Sequence, residues 1–302
     1  MRKRLLFLPA LALVLLIGCG VSAPAETEPL PDEPPAAEET ISLPEPRRLE
    51  PISAPAIVTE GRAPAEVYDL PPLPLDTDWR TYRNNAERWV TDGPNIAVLA
   101  EDREADAVLY GLPLYANTSQ ETALIRWGDS LAEFDWTLFP GPNMTLPQIK
   151  GLDGGFGAEK LAVICWVGGG TGVSIAELHI LEKGPDGTLT AYTFPESLWQ
   201  EELPKLFDTA ELGDRTFAML GHELVEFNHE HDGPELDLEK TSSGMIANFE
   251  TTDWGGLRFR GAFCLSPPDS AMPCYVAETS AEILYEDGVF TLQDFHLYSY
   301  DQ

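Results

Sequence analysis

The densest set of potential metal ligands in the chain is His222-Glu223 followed by His229-Glu230-His231-Asp232. Imidazole nitrogens and carboxylate oxygens are donors that Zn²⁺ accepts. In an extended strand His229 and His231 project to one face, where they could share a metal with Asp232 or Glu226 completing the set. The order is not His-Glu-x-x-His, because Glu226 stands where the second histidine would fall. The string also lies in a run of seven acids from Glu223 to Glu239. The plainer reading is a solvated acidic loop with adventitious metal affinity, so no catalytic metal and no cofactor is expected, and His229, His231 and Asp232 are candidates only in that adventitious sense.

A second candidate is Gly168-Gly169-Gly170-Thr171-Gly172. Glycine lets backbone donors approach an anion, which is the chemistry of phosphate loops. Here there is no Gly-Lys-Ser/Thr ending and no GxGxxG, and the run leads into a strand, not a helix. The expectation is a loop between two strands that needs positive φ or close backbone packing. Gly168, Gly169, Gly170, Thr171 and Gly172 are then candidates for contact with a ligand or partner at a sheet edge. A third candidate, Gly128-Asp129-Ser130-Leu131, spells the nucleophile block of the esterases named after that tetrapeptide. That chemistry needs Ser on a strand-to-helix turn with a His base held by Asp. None of the five His has an Asp three residues before it, and Pro140-Gly141-Pro142 follows too soon for a crossover helix. Gly128-Asp129 therefore reads as a hairpin turn.

The elements that would position these residues are strands. Apolar runs at Asn95 to Asp102 and Ala105 to Leu112 form a hairpin pattern, as do Ala123 to Trp127 with Leu131 to Trp136, and Leu161 to Val167 with Val173 to Leu181. Gly184-Pro185-Asp186-Gly187 turns the chain into Thr188 to Phe194. Thr216 to Leu220 and Leu224 to Phe227 make a further hairpin, followed by strands at Gly244 to Glu250, Leu257 to Leu265, Cys274 to Leu284 and Gly288 to Leu297. Apolar spacing of i, i+3, i+4 predicts helices over Glu196 to Phe207 and Trp79 to Val90. Strands in sequence-adjacent pairs predict a mainly β fold of antiparallel hairpin meanders, sandwich or propeller-like, with one or two short helices, over residues 76–302.

Ahead of that domain the composition changes. Arg2, Lys3 and Arg4 precede an apolar run from Leu5 to Ile17, a charged n-region and an h-region of export-signal length. Leu16-Ile17-Gly18-Cys19 resembles the lipobox of bacterial lipoproteins, in which the cysteine sulfur takes a diacylglycerol. Residues 1–18 are thus expected to be a cleaved signal and Cys19 the lipidation site. Residues 19–75 hold half of the 26 Pro and a surplus of acids, and are expected to form a disordered stalk of up to ~170 Å at the polyproline rise.

Charge narrows the partners. With 50 Asp and Glu against 19 Lys and Arg, the formal net charge is -31; losing three basic residues and no acidic ones with the signal would make it -34. Nucleic acid is excluded for want of a basic face. Acyl chains, not the protein surface, would supply membrane affinity. Apart from Cys19 the cysteines are Cys165, which alternates within an apolar strand and reads as a buried hydrophobe, and Cys264 and Cys274. The last two flank a Pro-rich connection between two strands, and a disulfide between them is expected if the strands pair at suitable distance.

The string KLAVICWVGGGTGVSIAELHILE at Lys160 to Glu182 resembles the central signature of uncharacterised surface lipoproteins from Gram-positive bacteria. A similar domain is appended to membrane metallopeptidases that resemble β-lactam sensor-transducers. AVLYGL, LIRWGDSLAEFDW and the closing ETSAEILYEDGVFTLQDFHL extend the resemblance over about two thirds of the chain. Family members often carry DxDGDG just before the first signature strand, a calcium-loop pattern. Here Leu152 to Glu159 keeps carboxylates only at Asp153 and Glu159, against the six to eight oxygens Ca²⁺ takes. The resemblance therefore implies architecture and location but no chemistry. The expected function is a lipid-anchored, extracytoplasmic binding or sensing module at the cell membrane, without catalysis, that meets an unknown envelope protein or ligand. The alternative is a cell-envelope hydrolase with an unrecognised site, metal-dependent or not.

Overall fold

The computed structural model describes residues 47–64, 70, 97–111, 122–138, 147–152, 159–213, 215–227, 236–252, 255–267 and 273–300. The strands are β1 (Ile52–Pro55), β2 (Ile57–Glu60), β3 (Ala97–Asp102), β4 (Ala107–Gly111), β5 (Ala123–Trp127), β6 (Ser130–Phe134), β7 (Gln148–Gly151), β8 (Lys160–Gly170) and β9 (Val173–Lys183). They continue with β10 (Leu189–Thr193), β11 (Phe207–Leu212), β12 (Arg215–Leu220), β13 (Glu223–Phe227), β14 (Asp237–Ser242), β15 (Ile246–Thr251), β16 (Leu257–Ser266), β17 (Cys274–Glu286) and β18 (Val289–Ser299). The mainly β, antiparallel expectation holds. One pairing departs from it: β15 runs parallel to β9 through Ile246↔Ser174 and Ala247↔Ile175.

The largest sheet follows the order β1-β18-β17-β16-β15-β9-β10-β2, with β8 on β9, β7 on β8 and β14 on β16. Its two ends, β1 and β2, are consecutive in the chain with only Ala56 between them. One passage of chain thus pairs with β18 through Ile52↔Leu292 to Pro55↔Val289, and then with β10 through Ile57↔Thr193 to Glu60↔Thr190. The sheet is thereby nearly closed into a barrel, and the Ala56 N–H fastens the crossing to the Gly288 carbonyl at 2.8 Å. Inside sit Phe194, Phe249, Phe259, Phe263, Phe290 and the barrel-facing aliphatics.

The stalk expectation fails over part of its range. Ile52, Ala54 and Ala56 alternate at a period of two and, with Leu49, pack against the barrel core. Farther on, Arg62 bridges to Glu133 of β6 and pairs with Glu133 and Asp135, and Leu70 packs on Val98, Val108, Tyr110 and Leu124. Proline is compatible with such strands at a sheet edge, where no ladder donor is needed, so the proline content of this segment does not oppose strand formation.

The strand pair β8–β9 is buried on both faces. Ala162, Ile164, Ala176, Leu178 and Ile180 face the barrel interior. Leu161, Val163, Cys165 and Leu181 face a second core, shared with Leu109, Ile125, Trp127 and Phe134 of the four-stranded sheet β3-β4-β5-β6 and with Trp136 just beyond it. That is why Leu161 to Val167 reads as a continuous apolar run without alternation. The three-stranded sheet β11-β12-β13 contributes Phe207, Ala218, Leu220 and Val225 to the barrel core.

The helix expected over Glu196 to Phe207 is a π-helical turn at Leu198–Glu202 and a 3₁₀ turn at Leu203–Leu206, and Phe207 is already extended. Pro204 has no N–H to donate back along an α-helix, which breaks the regular ladder, while Leu198, Trp199 and Leu203 stay buried. The helix expected over Trp79 to Val90 lies outside the described residues.

Candidate functional site

The glycine run is not a loop. Gly168, Gly169 and Gly170 are the last three residues of β8, and only Thr171 and Gly172 form the turn into β9. Of the five residues, Gly172 alone has a positive φ, +72°. A Cβ at Gly169 or Gly170 would meet nothing within 4 Å, and one at Gly168 would only touch Ile175 at 4.0 Å. These glycines leave an open strand surface and are not required by backbone strain or close packing.

The end of the hairpin is held in place. The Tyr275 hydroxyl donates to the Gly172 carbonyl and accepts from the Met245 N–H at 3.3 Å. Its ring lies over Gly244, where φ is +58° and a Cβ would come within 2.7 Å of the Cys264 sulfur and 2.9 Å of the ring. Gly244 thus permits the approach that lets Tyr275 pin the hairpin. On the β15 side the Ser174 N–H donates to the Met245 carbonyl at 2.9 Å, and the Ser174 hydroxyl donates to Asn248 at 3.2 Å.

This bonding fixes the direction of the groups on β8. Gly170↔Val173 closes the two-residue turn and Gly169↔Ser174 is the next pair. Because Ser174 turns its N–H away from β8, and opposed residues in an antiparallel ladder alternate between bonded and unbonded pairs, Gly169 directs its own N–H and C=O away from β9. On that outer side β7 pairs only with Leu161 to Ile164. Among the described residues, the edge of β8 from Cys165 to Gly170 has no strand beside it.

The two buried thiols, Cys165 and Cys264, give no nucleophile at neutral pH. Cys165 is fully buried, and burial, reinforced by Glu177, pushes its thiol far up. Beside it on the same face, His179 stacks on Trp136 with centroids 3.9 Å apart and bonds Thr193 through Nδ1 at 2.8 Å. Its Nε2 makes no hydrogen bond, although Glu177 lies 3.5 Å away. Burial drives the imidazole down to about 3, so it is a neutral core histidine. Cys264 is also buried and its thiol is pushed up to about 12, by burial and then by Cys274.

The expected disulfide is absent: Cys264 and Cys274 are free thiols. Cys264 stands opposite Tyr275 and Cys274 opposite Leu265, so the two side chains leave opposite faces of the β16–β17 pair. Pairing of the strands, the condition set by the sequence, is met, but the register is off by one.

The Gly-Asp-Ser-Leu string is a hairpin turn, with Gly128 at φ +57° and Ser130 starting β6 opposite Trp127. Ser130 lies beside Gly187 of the neighbouring turn, its Oγ 3.1 Å from where a Cβ would stand. Cys19, Asp153, His229, His231 and Asp232 lie outside the described residues. Among the described residues no three His, Cys, Asp or Glu converge as a metal site. Sequence reasoning located the glycine run but missed Tyr275 and Gly244, whose roles depend on contacts between distant strands.

A half-exposed charge network joins β13 to β18. His296 donates from Nδ1 to Glu223 at 2.8 Å and lies 3.5 Å from Asp294 through Nε2, while Glu223 also accepts the Leu297 N–H. The bond to Glu223 and the charges of both acids hold His296 above its ordinary value, against the effect of burial. A raised folded value means stabilisation that is complete below the unfolded value of about 6.5 and is lost as pH rises through the folded one. His296→Gln is therefore expected to lower the melting temperature more at pH 5.5 than at pH 9. Equal losses at the two pH values would contradict the network.

Comparison with protein-family models, curated proteins and solved structures yields no match for this chain.

Proposed function

We propose that the protein is a lipid-anchored, extracytoplasmic binding module without catalytic activity, and that it takes an extended peptide segment of an envelope partner along the open edge of β8. One observation carries the reading: Gly169 aims both backbone groups outward on a strand end that has no strand beside it among the described residues. Strand addition draws its affinity from main-chain hydrogen bonds and needs such an edge. Proteins ordinarily cover, charge or twist away an edge of this kind, because it invites pairing. Tyr275 and Met245 support the reading by holding the hairpin end in position, which lowers the ordering cost of association.

The anchor rests on Leu16-Ile17-Gly18-Cys19 and on the similarity of Lys160 to Glu182 to surface lipoproteins. From Cys19 to Arg47, the first described residue, is 28 residue steps, which limits the covalent reach to roughly 100 Å. That is well short of the reach a stalk running to residue 75 would give.

Both parts are testable in cells. Cys19→Ala is expected to move the protein from the membrane fraction to the soluble one, and membrane retention with an unchanged acyl label would contradict the anchor. A photo-crosslinking residue at Gly170, where a side chain meets nothing within 4 Å, is expected to give a discrete adduct with one envelope protein. The same residue at exposed Glu211 of β11 should not. Equal adducts from both positions would contradict the site.

A further inference from the structure

A cavity of about 410 Å³ opens where residues 47–49 cross the turn between β12 and β13, far along the sequence from the glycine hairpin. The exposed Arg47, Arg48 and His222 line it together with Leu220 and Phe295. Neither arginine side chain has an ion pair among the described residues, in a chain where acids outnumber bases 50 to 19. Among the described residues the two arginines that line this cavity thus keep their charge uncompensated, in a chain where carboxylates are abundant.

The crossing is built to hold them there. The Arg47 N–H donates to the Gly221 carbonyl at 3.3 Å. Gly221 has φ +66°, and a Cβ on it would stand 3.1 Å from the Arg47 carbonyl and 3.1 Å from Leu49. Only glycine lets the two segments lie this close. From the other side comes Asp294, a non-glycine residue at φ +51° where the β17–β18 register shifts. Asp106 and Asp287, the other two such residues, sit in turns. A bulge re-aims a side chain at local conformational cost. Here it places Asp294, whose carboxylate also lies 3.5 Å from His296 Nε2, in the lining of the cavity together with Arg47, Arg48 and His222.

We propose that this cavity binds a phosphate group. A carboxylate presents two oxygens, which a single guanidinium satisfies. Two arginines and a histidine lining one cavity offer enough donors for the several oxygens of a phosphate. Asp294 opposes the ligand and keeps the affinity moderate. The phosphate can belong to a lipid headgroup or to a soluble phosphate ester, and the chemistry recognised is the same.

The test uses the full chain carrying Cys19→Ala, so that no acyl group of its own reaches a vesicle. The probes are inorganic pyrophosphate and vesicles of phosphatidylglycerol or of phosphatidylcholine. Pyrophosphate is expected to shift the His222 imidazole proton resonance, assigned with His222→Asn, and to saturate at about 1 mM or below. Arg47→Ala with Arg48→Ala should weaken that binding at least about tenfold, as expected for lost charge-assisted hydrogen bonds. Asp294→Asn should tighten it, a sign that general loss of folding cannot produce. Binding to phosphatidylglycerol but not phosphatidylcholine vesicles, lost in the double variant, would assign the phosphate to a lipid; pyrophosphate binding alone would assign it to a soluble ester. No His222 shift with pyrophosphate or with either vesicle, or equal affinity in the double-arginine variant at unchanged melting temperature, would overturn the proposal.

Discussion

Deleting residues 47–64 while keeping the rest of the chain is expected to abolish cooperative unfolding of the β domain. The deletion removes both strands that close the barrel, and with them the ladders from Ile52 to Pro55 and from Ile57 to Glu60. The partly buried Leu49 and Ile52 also leave the core, each at a fraction of the ~1.5–3 kcal/mol of a fully buried large aliphatic side chain, and each lost ladder bond adds about 1 kcal/mol. Glu133 and Asp135 lose Arg62, and Phe134 and Ala132 of β6 lose the cover of Gly61. Together these losses approach the ~5–15 kcal/mol that holds an ordinary domain folded. The deleted chain should show no sigmoidal thermal transition and should bind a hydrophobic dye at 25 °C. A transition within a few degrees of the intact protein would mean that this segment is a stalk after all.

Phe194→Ala is the second large effect. Phe194 lies just beyond β10, edge-on to Phe249 at 5.1 Å and to Phe290 at 5.2 Å, and stacked on Phe259 at 6.3 Å. It therefore joins strands β15, β16 and β18 on the inside of the barrel. Truncation removes the transfer free energy of the ring and leaves a void lined by three aromatic rings that closed strands cannot readily collapse. The cost is expected to be about 3–5 kcal/mol, or roughly 10 °C in melting temperature for a domain of this size. A loss below about 1 kcal/mol in denaturant unfolding would show that the barrel interior is not closed around this ring.

Much of the β architecture was legible because hairpins write themselves locally. Gly128-Asp129 and Gly184 to Gly187 stand between apolar runs, and the structure has turns there. What escaped notice were strands without a clear period: β14, whose pairing with β16 is irregular, β11, which alternates only weakly, and the short β7. β1 and β2 were hidden among prolines, and their partners β18 and β10 lie more than a hundred residues away. Sequence composition reports the local cost of ordering such a segment but not the long-range ladder that offsets it.

The candidate site was half legible. A run of glycines is visible to anyone, but whether it is a strained loop or an open strand depends on φ and on neighbours, and here only Gly172 needed the special conformation. The outward direction of Gly169 follows from a bond between Ser174 and Met245, two residues that meet only after β9 and β15 pair in parallel. The disulfide failed for a comparable reason, since a register differing by a single residue decides which face each cysteine leaves.

The most direct measurement compares two neighbouring proline variants in cells carrying the crosslinker at Thr171. Gly169→Pro removes an N–H that points to the open edge, so it should leave the melting temperature nearly unchanged and reduce the adduct at least about tenfold. Gly170→Pro removes an N–H that faces Val173 in the closing pair of the hairpin, so it should lower the melting temperature instead. A Gly169→Pro protein that stays folded and still gives the full adduct would contradict strand addition at β8.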